Sequence, residues 1–362
     1  MKTLSETFSD RQSKTFSNKQ PKTFSNRQRI LLLSALLACL ALFSLSMGRY
    51  SNSPVDVINA IRSRLGLIPQ SDISMENIVF YVRLPRIFAS IFVGAMLSVS
   101  GAVYQGTFRN PLVSPDLLGV SSGASVGAAA SILLGFGMLQ RQIFAFIGGI
   151  LAVALTATIP KLFRNTSNMM LVLSGIIVGG FLNSVLAIMK FVAEEQTELS
   201  SIVFWQMGSV SSVKTRELVA IGPVYIICTI LLIALSWRIN ILSFGEIEAK
   251  TLGMNVRRIR GIVIVCASLL TASAVCISGT IGWIGLVIPH LGRLVVGSDH
   301  TELLPVTVIF GSIFMLIIDT IARISTSVEL PLSILTGFVG APTYAYLLYR
   351  QRANSRSFLK ER

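Results

Sequence analysis

SFGEIEAKTLGMNVRRIR, residues 243–260, is a short polar stretch set between two uncharged hydrophobic runs. Adjacent spans of a membrane protein are normally joined by a minimal turn, so a helix in this place asks for a reason. Ser243 and Glu246 stand in the capping-box relation, which starts a helix at Phe244. Gly253 is placed to stop it. At about 100° per residue, Glu246, Ala249, Lys250 and Gly253 share one face. That face is charged at its edges and small at its centre, open to the backbone of another protein. Spacing alone leaves two readings, a docking helix and a solvated loop helix.

The flanking runs settle the class. Apolar residues make up 52% of the 362-residue chain and charged residues only 13%, against about 25% charged in soluble domains. Mean hydropathy is +0.70. Uncharged runs cover residues 30–48, 87–108, 117–140, 142–160, 165–189, 218–237, 261–292, 303–318 and 330–349. A bilayer core takes about 20 helical residues, so each run is one span, except 261–292. As a single helix that run would be about 48 Å long, and it contains Gly279, Gly282, Gly285 and Pro289, which weaken or break a helix. It reads as two spans, 261–278 and 282–296. The fold class is therefore all-α, a polytopic membrane protein of ten spans with both termini on one side.

Loop charge sets the orientation. With the N-terminus cytoplasmic, about two thirds of the 31 lysines and arginines fall inside, as the positive-inside rule requires. The net charge of +14 then needs no nucleic-acid partner. The helix at 243–253 lies in the cytoplasm, where Arg257, Arg258 and Arg260 reach the headgroups. Residues 1–29 repeat TFS at 7–9, 15–17 and 23–25 and read as a disordered basic cytoplasmic tail. Residues 30–350 form the membrane domain, and 351–362 a second cytoplasmic tail. The first span is expected to be retained, because its loss as a signal peptide would spoil the charge balance.

Chemistry is sparse. The cysteines, Cys39, Cys228, Cys266 and Cys276, lie in apolar runs without metal-ligand spacing and read as packing residues. The two histidines form no HExxH, and neither a nucleophile elbow nor a phosphate loop occurs. Catalytic, metal and cofactor sites are not expected. Glu194, Glu195 and Glu198 in an outer loop read as solvated charge. Ion-coupled carriers place a carboxylate at mid-membrane. The nearest here is Asp319, four residues before Arg323 near the outer end of span nine, and it reads as an i,i+4 ion pair. An internal energy source is thus improbable, and the helix between spans six and seven is the natural place to receive energy from outside. Gly123–Gly127 and Gly175–Gly179 are GxxxG pairs, and small residues recur through 94–106 and 119–130, a pattern that lets helices pack closely in lipid.

Four long blocks carry a family resemblance: VRLPRIFASIFVGAMLSVSGAVYQGTFRNPLVSPDLLGVSSGASVG at 82–127, GEIEAKTLGMN at 245–255, SGTIGWIGLVIPHLGRLVVGSDHTELLP at 278–305 and DTIARISTSVELPLSILTGFVGAPTYAYLLYR at 319–350. In order and spacing they resemble the FecCD-type ABC importer permeases. The resemblance runs from about residue 30 to 350; the N-terminal repeat tail has no counterpart.

That resemblance implies a bundle like the cobalamin-importer permease in a bacterial cytoplasmic membrane. It also implies a second permease subunit, a dimer of cytoplasmic ATPases and an extracytoplasmic solute-binding protein. The cargo it implies is a ferric siderophore, with haem or cobalamin as alternatives. The different-class alternative is an ion-coupled secondary transporter. Carried onto this chain, the coupling contacts are Glu248, Ala249 and Gly253 with Glu246 beside them. Binding-protein docking falls to Arg83 and Arg86 in VRLPR and to Arg323 in DTIAR. Pro85 biases Leu84 away from helix, so the first two arginines are expected in an extended or turned segment. The cytoplasmic gate falls in RNTSN, 164–168, at Thr166 and Ser167. His290, in the sequence IPH, is expected to be structural, satisfying a backbone group freed by Pro289.

Overall fold

The computed structural model describes residues 25–48, 54–68, 73–165, 167–326 and 328–360. Nearly all of the N-terminal repeat tail, and Thr166 in the expected gate, lie outside the described residues. The described chain is helical. In order, α1 is Asn26–Ser46, α2 Pro54–Arg64, α3 Ile73–Asn77, α4 Leu84–Phe108, α5 Val120–Leu133, α6 Met138–Leu162, α7 Asn168–Val192 and α8 Ser200–Met207. There follow α9 Thr215–Ala234, α10 Ser236–Phe244, α11 Glu246–Thr251, α12 Val256–Ser278, α13 Ile284–Val296, α14 His300–Ile324 and α15 Leu332–Lys360. Eight helices are long and apolar enough to cross a membrane, and α5 and α13 are shorter apolar helices in the third and eighth positions. The division of residues 261–292 falls where the glycines placed it, with α12 ending at Ser278 and α13 starting at Ile284.

The arginine segment is not extended. A π-helical turn, Ile78–Arg83, joins α3 to α4 without a break, and Pro85 sits in the first turn of α4. Pro85 has no N–H to give to the helical ladder, and the wider π turn before it absorbs the change of register.

The third hydrophobic run also differs from its expected form. After α4 the chain turns back at Arg109, whose φ of 54° is left-handed. Residues 109–119 then re-enter the bundle. Pro115 packs beside Gly285 and the carbonyl of Leu97, midway along α4. Gln105 fixes this segment through Nε2, which donates to the carbonyls of Val113 at 3.3 Å and Gly285 at 3.1 Å; its Oε1 accepts from Arg293 at 2.7 Å. The re-entrant stretch uses up hydrophobic length that a straight span would have spent on helix, which leaves α5 short.

α4 is the centre of the bundle. A Cβ at Gly94 would stand 2.1 Å from the carbonyl oxygen of Gly311 on α14, and one at Gly101 would stand 2.1 Å from that of Gly285 on α13. The GxxxG residues Gly123 and Gly127 meet the backbone of α6 at Gly148 and Phe144 in the same manner. Inserting even a methyl group forces backbones apart, at a cost of about 1–3 kcal/mol. Gly94→Ala is expected to lower the thermal unfolding midpoint of the detergent-solubilised protein. Gly180→Ala, which faces open space, is expected to leave it unchanged, and equal melting of the two variants would refute this role for Gly94.

Candidate functional site

Two places stand out, one at each end of the bundle. At the end that carries α11, α10 runs on through Phe244, so the start expected at Phe244 shifts to Glu246. The capping box does not form, because Ser243 lies in the last turn of α10 and its hydroxyl donates to the carbonyl of Asn240 at 2.6 Å. The reversal is made by Gly245, at φ 147° and ψ 164°, a conformation open in practice only to glycine. The stop at Gly253 is as expected. Its φ is 73°, its N–H donates to Lys250 at 2.9 Å, and the Met254 N–H donates to Ala249 at 3.1 Å. These two bonds form a Schellman cap. Asn255 then caps α12, accepting from the Arg258 N–H at 3.0 Å.

Which face α11 presents differs from expectation. Ala249 has 0% exposure and is packed into its own bundle, so it is not part of an outward contact core. Phe244, Ile247 and Leu252 are 71%, 76% and 67% exposed, and Glu248 and Gly253 are exposed beside them. Glu246 is turned sideways into an ion pair with Arg260. The outward surface is therefore an apolar knuckle with an acidic edge. Of the two small residues expected on the outward face, Ala249 is turned into the bundle and Gly253 stays exposed. Phe244, Ile247 and Leu252 were legible as apolar residues in a polar loop, which is itself the signal of an interaction surface.

α10 ties this knuckle to the bundle. Asn240 Oδ1 accepts from the backbone N–H of His300 at 2.8 Å, and its Nδ2 donates to Asp299 at 2.6 Å. Hydrogen bonds from Thr301 and Asn240 hold the Asp299 carboxyl below its ordinary range. Behind the knuckle lies a cavity of about 890 Å³, bounded by Arg109, Asn110, Arg164, Ser167, Asn168 and Glu246. Ser167 is the N-cap of α7, accepting from Met170 at 3.2 Å. The turn expected to hold the gate and the first residue of α11 thus line one space.

At the opposite end, Arg83, Arg86 and Arg323 converge, but below the surface rather than on it, at 4%, 5% and 5% exposure. Arg86 pairs with Asp319 at 2.9 Å and with Glu329 at 2.8 Å. The expected pairing of Asp319 with Arg323 is corrected. The two are on one helix, yet Asp319 is fully buried and faces α4. Arg323 instead donates to the carbonyl and hydroxyl of Ser44 at 3.0 and 2.7 Å. Arg83 donates to the carbonyl of Leu45 at 2.8 Å. Both therefore satisfy open carbonyls at the C-terminal end of α1, where the helix dipole favours a cation.

His290 packs edge-to-face on Tyr344, ring centroids 5.9 Å apart, and no acceptor meets its Nδ1; its contact is with the ring, not with a freed backbone group. Asp116, in the re-entrant segment, accepts from the Ser121 hydroxyl.

Comparison with known proteins places these features in a family. The family model described as the FecCD transport family matches residues 36–350. The molybdate import system permease of Haemophilus influenzae is 39% identical over 318 residues, covering 88% of this chain and 94% of that one. A probable iron chelatin transport permease of Helicobacter pylori is 40% identical over 279 residues, 77% of this chain and 84% of that one. A solved ABC transporter of the metal-chelate type, in an inward-facing conformation, is similar at a TM-score of 0.81 and 38% identity, over 90% of this chain and 99% of that chain.

Removing one partner of a buried ion pair strands the other, at a cost of about 3–5 kcal/mol. Asp319→Asn is therefore expected to destabilise the protein by that order in denaturant unfolding. Arg86→Met combined with Asp319→Leu should cost less than the two single changes added together. Additive losses would show that the pair is not coupled.

Proposed function

We propose, because this chain belongs to the FecCD transport family, that it carries a bulky ferric chelate of the siderophore class inward by alternating access. The chain is a multi-pass ABC importer permease of that family. The cargo path is shared with a second permease subunit, and the work comes from a separate cytoplasmic ATPase. The observation that carries the reading is the knuckle at Phe244, Ile247 and Leu252, sharing a cavity with the turn at 164–168. Force applied to α11 acts directly on the inner mouth, and through α10 and Asn240 on α14.

In this reading Ile247, Leu252, Glu248 and Gly253 meet the ATPase, and Ser167 with Thr166 belongs to the inner gate. The outer cluster holds three arginines, Arg83, Arg86 and Arg323. It captures the acidic surface of a binding protein when the outer mouth opens and brings the cluster to the surface. Both termini are cytoplasmic. A second cargo, a molybdate-type oxyanion, is favoured by the long alignment to the Haemophilus influenzae permease.

The reading predicts that the chain, reconstituted with its ATPase and binding protein, takes up cargo only when ATP is supplied, and that ionophores leave uptake unaffected. Ile247→Asp is expected to reduce uptake more than tenfold while thermal melting stays at the wild-type value. Uptake by the chain alone along an ion gradient would establish the secondary carrier instead. Parallel assays with ferric siderophore and with molybdate decide the cargo.

A further inference from the structure

α12 follows the knuckle directly, and one side of its first three turns is left uncovered. Arg257, Arg258, Gly261, Ile262 and Val265 recur at helical spacing on that side. They line an open groove of about 590 Å³, with Asn255 at its polar end and no carboxylate among the lining residues. Arg260, in the same stretch, is paired with Glu246 of α11. Arg257 and Arg258 are exposed, and among the described residues neither is paired with a carboxylate. Asn255 spends its Oδ1 on the Arg258 N–H, so its side-chain amide remains as a donor. One end of the groove thus offers donors and two positive charges.

One turn further on, Gly261 interrupts the side-chain surface. Gly94 and Gly101 lack side chains because backbones meet there, but a Cβ at Gly261 would meet nothing within 4 Å. Glycine inside a helix lowers its stability relative to alanine, and no helix contact offsets that loss here. What it leaves is a notch, with the two arginines on one side and Val265, 55% exposed, on the other.

We infer that this groove is a binding site for one anionic phospholipid, its phosphate on Arg257 and Arg258, its glycerol at Gly261 and an acyl chain along Ile262 and Val265. Guanidinium forks match phosphate oxygens in geometry as well as charge. Free phosphate would answer the arginines and leave the apolar length of the groove bare. A zwitterionic lipid would cover that length and bring a cation of its own to the arginines. An anionic lipid answers both ends. The general pull of basic segments on anionic lipid needs no notch, whereas this groove has room for one molecule in one place. Because Arg260 ties the same stretch to α11, the lipid braces the start of α12 beside the knuckle. The site lies on one chain and is independent of which cargo the permease carries.

Native mass spectrometry of the purified full chain, titrated with phosphatidylglycerol, tests this. The expected result is one lipid that saturates before further adducts appear, and that glycerol phosphate does not displace. Phosphatidylcholine of the same chain length should bind about tenfold more weakly, as should phosphatidylglycerol to the Arg257→Gln, Arg258→Gln double variant. Thermal melting of that variant in lipid-free detergent should match the wild type. Gly261→Leu keeps every charge, favours helix and fills the notch; it should weaken binding as well, and it carries the test if the arginine variant misfolds. Equal stepwise adducts with both lipids, or displacement by glycerol phosphate, would overturn the assignment in favour of annular lipid or a free-anion site. Wild-type affinity in either folded variant would overturn it too.

Discussion

Within a bilayer, apolar surfaces gain nothing by leaving lipid for each other, so helices are held by close packing and by polar contacts. In this chain the constraint is met by glycine on both sides of the α4 contacts. Gly94 lies against Gly311 and Gly101 against Gly285, each at a distance that admits no side chain. Dispersion between backbones in contact is the main attraction available. The same closeness brings Gln105 within reach of the Gly285 carbonyl, so that one glutamine can hold α4, α13 and the re-entrant segment together. Buried hydroxyl contacts follow from it too: Ser100 meets Thr271 at 2.7 Å and Tyr104 meets Ser268 at 2.6 Å across α4 and α12.

A centre packed in this way behaves as one solid piece, because backbone contacts cannot slide without clashing. Movement is then left to what is attached at its margins. At one end the attachment is α10, bonded through Asn240 to the start of α14, with α11 projecting beyond it. α14 in turn is packed along α4 through Gly311. The cavity lined by Arg109, Asn110, Arg164, Ser167 and Asn168 also takes in Glu246, the first residue of α11, so the knuckle and that turn border one space.

Much of this architecture was legible in the sequence. Hydrophobic length and the glycines after Ser278 gave the order of the spans, and the small-residue stretch at 94–106 marked the helix that others would approach. Residues whose position depends on a local reversal were harder to read. The stretch 109–119 mixes Arg109, Asn110 and Asp116 with apolar residues and reads as a connection, and only its contacts with Gly285 and Gln105 show that it folds back into the bundle. Ala249 was expected outward because periodicity tells which residues share a face and not which face meets the bundle; separately, the start expected from Ser243 and Glu246 gave way to one set by the conformation at Gly245. The arginines failed for another reason. Asp319 and Arg323 are neighbours on one helix, but a pairing across helices with Arg86 satisfies a carboxylate that has no water, and periodicity along one helix carries no information about that.

The outer cluster makes sense only when its carboxylates and carbonyls are considered together. Burying three guanidinium groups near lipid is costly unless each finds an acceptor. Asp319 and Glu329 answer Arg86, while the open end of α1 answers Arg83 and Arg323. The first span is otherwise thinly held; little of it is buried in the bundle. Its outer end is fixed by charge, and its inner end by Asn26 and Arg29, which donate to Glu302 and to the Val295 carbonyl. Leu37, Leu40, Ala41 and Leu45 also join an apolar cluster with Ile87 and Leu316, so close packing along one side of this helix adds to the polar contacts at its two ends.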